Sequence, residues 1–260
     1  MNRVYTGLWV LLLAGVGLTF GWYATHADDP ADGSAIEQSA ERSKPQEQQE
    51  PQEPERAVFT GGGYELAQVK AGQEVQILAE PGGDRIVKIG DQSELFGSPR
   101  VFPVLKPGPH WLGVTAPELG NGRIGWVRYD PEKLVLGDTR ISIRIDLSES
   151  KLTLLRDDDV LRESVVTVGR YGNETPTGRF AITDTITENL DPVYGAGAVV
   201  TSARQDSLAA GWNGGNMIAM HGWAGPVGGA DSGGYLRMAN EDIAALIGAV
   251  PLGAPVFITA

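Results

Sequence analysis

Glycine and proline leave little choice of architecture beyond residue 57. Turns fall at Gly61-Gly62-Gly63, Pro81-Gly82-Gly83, Lys106-Pro107-Gly108-Pro109 and Gly120-Asn121-Gly122. Between them lie short apolar runs: Tyr64 to Val69, Glu74 to Leu78, Arg85 to Ile89, Val101 to Leu105, His110 to Val114 and Arg123 to Tyr129. Such runs, bounded by turn residues, are the length of strands and too short for the helices of a bundle. The 35 glycines and 16 prolines among 260 residues favour the same outcome. The fold class is therefore expected to be mainly β, with residues 58–136 forming a small antiparallel barrel. Trp111 and Trp126 read as packing aromatics of that barrel.

The beginning of the chain is of another kind. Val4 to Thr25 carries no charge, follows Arg3, and closes on Trp22 and Tyr23. That is enough to cross a bilayer as one helix with the remainder outside the cytoplasm, so residues 1–27 are expected to be a signal-anchor or transmembrane helix, a cleaved signal peptide being the alternative. Residues 28–57 are rich in Gln, Glu, Pro and Ser and nearly free of apolar side chains, the composition of a disordered acidic linker. The net charge of -12 contains no basic block, which argues against nucleic acid as a partner. Without cysteine, disulfides and thiolate zinc sites are excluded, 3 histidines in all argue against a histidine metal cluster, and no cofactor or metal is expected.

Residues 140–260 read as a second β-rich unit. Ile141 to Leu147 alternates in period two, Ser148-Glu149-Ser150 turns the chain, and Lys151 to Leu155 returns as a hairpin. Val160 to Gly169 reads as a third strand, and Pro176 and Gly178 make a tight corner before a strand from Phe180 to Thr183. Asn216 to Met220 reads as a buried strand that delivers His221 to a glycine-rich loop. Beyond it, Ser232-Gly233-Gly234-Tyr235 forms a second turn, and Leu236, Arg237 and Met238 lead into a short helix ending before Gly248. A turn of this kind exposes one side chain and points backbone N–H groups at whatever that side chain would attack. Trp212 and Trp223 flank the cleft so formed.

Two of these segments resemble the L,D-transpeptidase (YkuD-type) family: the Thr-Pro-Thr-Gly-Arg-Phe corner from Thr175 to Phe180, and the stretch from His221 to Arg237. The resemblance covers Arg140 to Ile258. It implies a peptidoglycan-remodelling fold in which His221 holds the general-base position, Gly233 that of a second histidine, Gly234 the oxyanion turn, Tyr235 that of the nucleophilic cysteine and Arg237 that of an arginine able to grip a stem-peptide carboxylate. Trp223 is a further candidate for substrate contact. The Asn121-to-Val127 strand is similar to the Gly-Trp-Val strand of bacterial SH3-like domains.

The resemblance fails at the nucleophile. A phenol with an ordinary pKa of about 10 is scarcely ionised at neutral pH, and its oxygen lies well beyond where a cysteine sulfur would be. Three readings follow: a catalytically silent or impaired relative that binds peptidoglycan stem peptides or a cell-wall partner protein at the membrane; a working transpeptidase or carboxypeptidase with Ser232 as substitute nucleophile; or a structural envelope scaffold.

Overall fold

The computed structural model describes residues 55–207 and 215–260. The uncharged run 4–25, nearly all of the acidic stretch 28–57, and Trp212 lie outside them. The chain divides into two units, Met1–Gln49 and Glu50–Ala260, and every described residue belongs to the second.

The first sheet holds β1 (Tyr64–Val69), β2 (Val75–Leu78), β3 (Arg85–Ile89), β4 (Val101–Lys106), β5 (Trp111–Val114), β6 (Gly125–Arg128) and β7 (Leu134–Thr139). Its order is β3-β2-β6-β5-β4-β1-β7, with every pairing antiparallel. Side chains alternate as the sequence does: Val75 and Ile77 point into the core and Gln76 between them points out. Phe102, Leu112, Val114 and Val127 complete that core at 1% exposure or less. Each side chain of this size contributes about 1.5–3 kcal/mol by leaving water. β7 carries the sheet on to Thr139, pairing with β1 from Tyr64↔Thr139 to Val69↔Leu134. Arg56 is seated on this sheet by a buried, bidentate ion pair with Glu65 and by a 3.0 Å bond from its Nε to the Gly108 carbonyl.

Residues 140–260 contain β8 (Ile141–Asp146), β9 (Lys151–Arg156), β10 (Asp159–Val165), β11 (Val168–Gly169), β12 (Gly178–Ile186), β13 (Ala198–Arg204), β14 (Met217–Gly222), β15 (Ala230–Ser232), β16 (Leu236–Met238), α1 (Asn240–Ala249) and β17 (Pro255–Thr259). Eight strands form one sheet in the order β10-β9-β8-β17-β12-β13-β14-β16, and β11 pairs with β15 apart from it. Pairing within the eight-stranded sheet is antiparallel except for β17 on β8 and β14 on β16, and β11 on β15 is parallel as well. α1 places Ile243 and Leu246, three apart on one face, in the core, and Asp242 in its first turn holds Arg162 of β10 at 2.5 Å.

Two stretches differ from their sequence reading. Val160 to Gly169 is divided, because Val166 is fully buried and Thr167 leaves β9 to exchange backbone bonds of 2.8 and 3.1 Å with Arg237 of β16, at the opposite edge of the large sheet. Leu236 to Met238 is a strand before it is a helix lead-in, since it lies parallel to β14 with Met220↔Leu236 and His221↔Arg237 in register. The helix starts at Asn240 and takes in Gly248.

The two sheets are latched together. Asn121 Nδ2 donates to the Arg204 carbonyl at 2.7 Å and its Oδ1 accepts from the Arg204 amide at 2.8 Å, while Arg204 Nε donates to the Pro117 carbonyl at 2.5 Å. Ser93 Oγ donates to Asp184 Oδ1 at 2.5 Å. At Gly253, with φ +80°, a Cβ would stand 2.7 Å from Val101 Cγ1, so only glycine admits the approach.

Candidate functional site

The register of β14 on β16 brings His221 beside Arg237. His221 ends a strand whose Ile218 and Met220 are wholly buried, and it is itself only 4% exposed. Its Nδ1 lies 2.7 Å from the Gly222 carbonyl. A carbonyl only accepts, so Nδ1 carries the proton and the neutral ring keeps its lone pair on Nε2. Three aromatic rings surround the imidazole edge-on: Tyr194 at 5.0 Å, Tyr235 at 6.1 Å and Trp223 at 6.4 Å between centroids. Tyr194 is supplied by the short turn Pro192–Tyr194, which Asp191 caps by accepting from the Val193 amide at 2.9 Å.

The turn from Ser232 to Tyr235 is braced from several directions. Ser232 is 0% exposed; its Oγ donates to the Tyr235 carbonyl at 2.5 Å and accepts from the Gly234 amide at 3.0 Å. Thr175 Oγ1 donates to the Gly234 carbonyl at 2.9 Å while accepting from the Gly169 amide at 2.9 Å. The Arg170 amide reaches the Ser232 carbonyl at 3.0 Å. Gln205 Nε2 donates to the Glu174 carbonyl at 3.0 Å and, more weakly, to that of Gly233 at 3.4 Å. Gly234 sits at φ +111°, and a Cβ there would lie 2.2 Å from Gln205 Nε2. Thus the Thr-Pro-Thr-Gly corner and the Ser-Gly-Gly-Tyr turn, far apart in the chain, are one structure joined through Thr175.

Electrostatics follow from burial. Burial holds the His221 imidazole below its ordinary 6.5, against the upward pull of the Gly222 hydrogen bond and with a smaller downward push from Arg237. Burial also pushes the Tyr235 phenol up to about 12, the neighbouring Tyr194 adding to the rise, and Tyr194 itself is raised by burial and then by Asp191. With the base held below 6.5 and the phenol pushed up to about 12, the neutral pair is favoured over the proton-transferred one. Tyr235 is packed against the core as a hydrophobic ring.

Arg237 lays its guanidinium over the Trp223 ring, 4.3 Å from the centroid, and Nη1 reaches the Asp231 carbonyl at 3.4 Å. Contact with the ring leaves the in-plane N–H groups other than the one turned to Asp231 for a carboxylate. Gly233 is exposed at the tip of the turn. All seven site candidates from the sequence, His221, Trp223, Ser232, Gly233, Gly234, Tyr235 and Arg237, therefore fall in one neighbourhood. Ser232 Oγ is engaged with its own turn, and the Gly234 N–H expected to face an oxyanion is engaged with Ser232. Tyr194, Thr175 and Gln205 join the site only in the folded structure. Thr175 opens the Thr-Pro-Thr-Gly-Arg-Phe corner, whereas Tyr194 and Gln205 arrive through long-range packing with no local signal.

Residues 140–258 match the family model of the L,D-transpeptidase catalytic domain, YkuD. Similar solved structures include Bd1075 of Bdellovibrio bacteriovorus, at 20% identity and a TM-score of 0.37 over 46% of this chain and 48% of that one. Another is an L,D-transpeptidase from Mycobacterium smegmatis, at 16% identity and a TM-score of 0.37 over 62% of this chain and 90% of that one. A third is the catalytic domain of the E. faecium L,D-transpeptidase, at 20% identity and a TM-score of 0.34 over 47% of this chain and all of that one. The match spans about half the length of the Bd1075 chain. No curated protein matches the chain.

Proposed function

We propose that this protein is a catalytically silent L,D-transpeptidase relative of the cell envelope, binding peptidoglycan stem peptides, or a cell-wall partner that presents the same carboxylate, without cutting them. The observation that carries the reading is Tyr235 at the nucleophile position, its phenol held near 12 beside an imidazole held below 6.5, so that the site has neither a thiolate nor a means of making a phenolate. A substitute nucleophile at Ser232 is disfavoured, because that hydroxyl is fully buried and engaged at both donor and acceptor. Binding is favoured over an inert scaffold by Arg237, which Trp223 holds in place half-exposed, with only Nη1 turned to the Asp231 carbonyl.

In this reading the uncharged run 4–25 holds the protein in the membrane, the acidic stretch sets its reach, and the first sheet, with its Gly-Trp-Val strand, serves as an SH3-like accessory domain. Among the described residues no helix is long and apolar enough to cross a membrane. The test is co-sedimentation of the purified full chain with peptidoglycan sacculi. Wild type should pellet with them and Arg237→Ala should bind more weakly by about 1–3 kcal/mol, the scale of a charged hydrogen bond. Retention indifferent to Arg237 would favour the scaffold.

A further inference from the structure

Two neighbouring strands of the first sheet part company. β2 and β6 pair only at Ile77↔Val127 and Leu78↔Trp126, although β2 begins at Val75 and β6 runs to Arg128. Continued in the same antiparallel register, the ladder would set Gln76 opposite Arg128 and Val75 opposite Tyr129. Instead Tyr129 gives its amide to the His110 carbonyl at 2.8 Å, on the β5 side. A groove of about 690 Å³ opens at that place, lined by Val75 and Gln76 from one side and by Arg128 and Tyr129 from the other.

The charged side chains on its lining are spent on one another. Lys88 pairs with Glu74, Lys133 Nζ stands 3.9 Å from Asp130 Oδ2, and Arg128 has an interaction of its own. What remains is neutral: the Gln73 and Gln76 amides, the Trp111 indole N–H and the Tyr129 hydroxyl line the groove and make no side-chain hydrogen bond to any described residue. None of these four residues is buried, and the buried polar atoms that lack a partner all lie elsewhere, on Arg100, Glu118, Ser142 and Asp184. The four groups are therefore open to whatever enters the groove.

Two aromatic side chains, two planar amides and an apolar floor at Val75 and Val127 complement a ligand with apolar faces and an uncharged polar rim. A pyranose ring has that character, with C–H groups for the aromatic side chains and hydroxyls that both donate to and accept from an amide. A strongly charged ligand is served less well, since an anion meets Glu74 and Asp130 beside each lysine, and a cation meets the lysines. The volume falls within the roughly 300–1,000 Å³ of small-ligand sites, room for a short oligosaccharide.

We propose that this groove binds a neutral oligosaccharide, with its rings against Trp111 and Tyr129 and its hydroxyl or acetamido groups on Gln73 and Gln76. It shares no residue with the His221 site and does not depend on what that site does.

Calorimetric titration of the full chain with chitin-type oligomers of N-acetylglucosamine and with cellulose-type oligomers of glucose tests the assignment. These carry neither peptide nor charge, so Arg237 takes no part in the readout. A saturable isotherm that is indifferent to added salt is expected for at least one series. Trp111→Ala should weaken binding at least tenfold and Gln76→Ala several-fold; if the former fails to fold, the latter, whose side chain is exposed, carries the test. Absence of saturable binding by every oligomer tried, affinity unchanged in the folded variants, or affinity that falls steeply with salt would overturn the proposal. Saturable binding of a proline-rich peptide and of no sugar would overturn it as well.

Discussion

Ser232 Oγ donates to the carbonyl of Tyr235 at 2.5 Å, closing the turn that holds Tyr235 at the nucleophile position. The hydroxyl also takes the Gly234 amide, so Ser232→Ala leaves a buried N–H without its partner and a carbonyl with one bond fewer. The substitution should cost about 1–3 kcal/mol of folding stability, read as a lower denaturant midpoint. A midpoint equal to wild type would mean that the turn is held by Thr175 and Gln205 alone.

Gly234→Ala tests the same turn from its backbone. The residue is at φ +111° and its Cβ would meet Gln205 Nε2 at 2.2 Å, so strain and overlap act together. A loss of at least about 2 kcal/mol is expected. Combining it with Gln205→Ala should give less than the sum of the two single losses, because the second change removes the atom the first collides with. Strict additivity would separate Gln205 from Gly234.

These braces also mark where legibility in the sequence stopped. β2 and the β8–β9 hairpin can be read because their alternation shows, and β1, β4 and β5, each with three consecutive buried residues, because glycine and proline turns delimit them, whereas β7 carries neither signal and runs past the boundary expected at 136. β13, Ala-Val-Val-Thr-Ser-Ala-Arg, is buried on both faces for six of its seven residues, so it has no alternation to detect. β17 begins at Pro255 and pairs in parallel with β8, Val256↔Ile143, a partner that no local pattern announces. The site divides in the same way. His221, Ser232, Gly234 and Tyr235 stand in a recognisable order, but Tyr194 reaches His221 only through the β13–β14 end of the sheet, where Ala198 pairs with His221.

The histidine should declare itself through pH. His221 is held below its ordinary 6.5 by burial, so the unfolded chain takes up a proton near that pH which the folded chain refuses. Stability present above pH 6.5 is therefore lost as the pH falls, until the lower folded-state pKa is reached. Denaturant midpoints between pH 7.5 and 5.5 should fall more steeply for wild type than for His221→Asn. Coincident slopes would mean that the imidazole titrates freely.

Restoring a thiol is a test with no background, since the chain has 0 cysteines. Tyr235→Cys places a sulfhydryl near an imidazole that keeps its Nε2 lone pair, and adding Gly233→His returns the second ring. Alkylation by iodoacetamide at pH 7 should be faster in the double variant than in Tyr235→Cys, and His221→Asn should slow both several-fold. Rates insensitive to His221 would show that the cleft no longer directs base toward nucleophile.

Silence without loss of binding is the central claim, and incubating the purified full chain with tetrapeptide-stem muropeptides tests it most directly. Mass spectrometry should find the muropeptides unchanged, neither trimmed nor cross-linked, while co-sedimentation shows wild type retained by sacculi and Arg237→Ala retained less. Muropeptide turnover by wild type that disappears in Ser232→Ala would contradict the account.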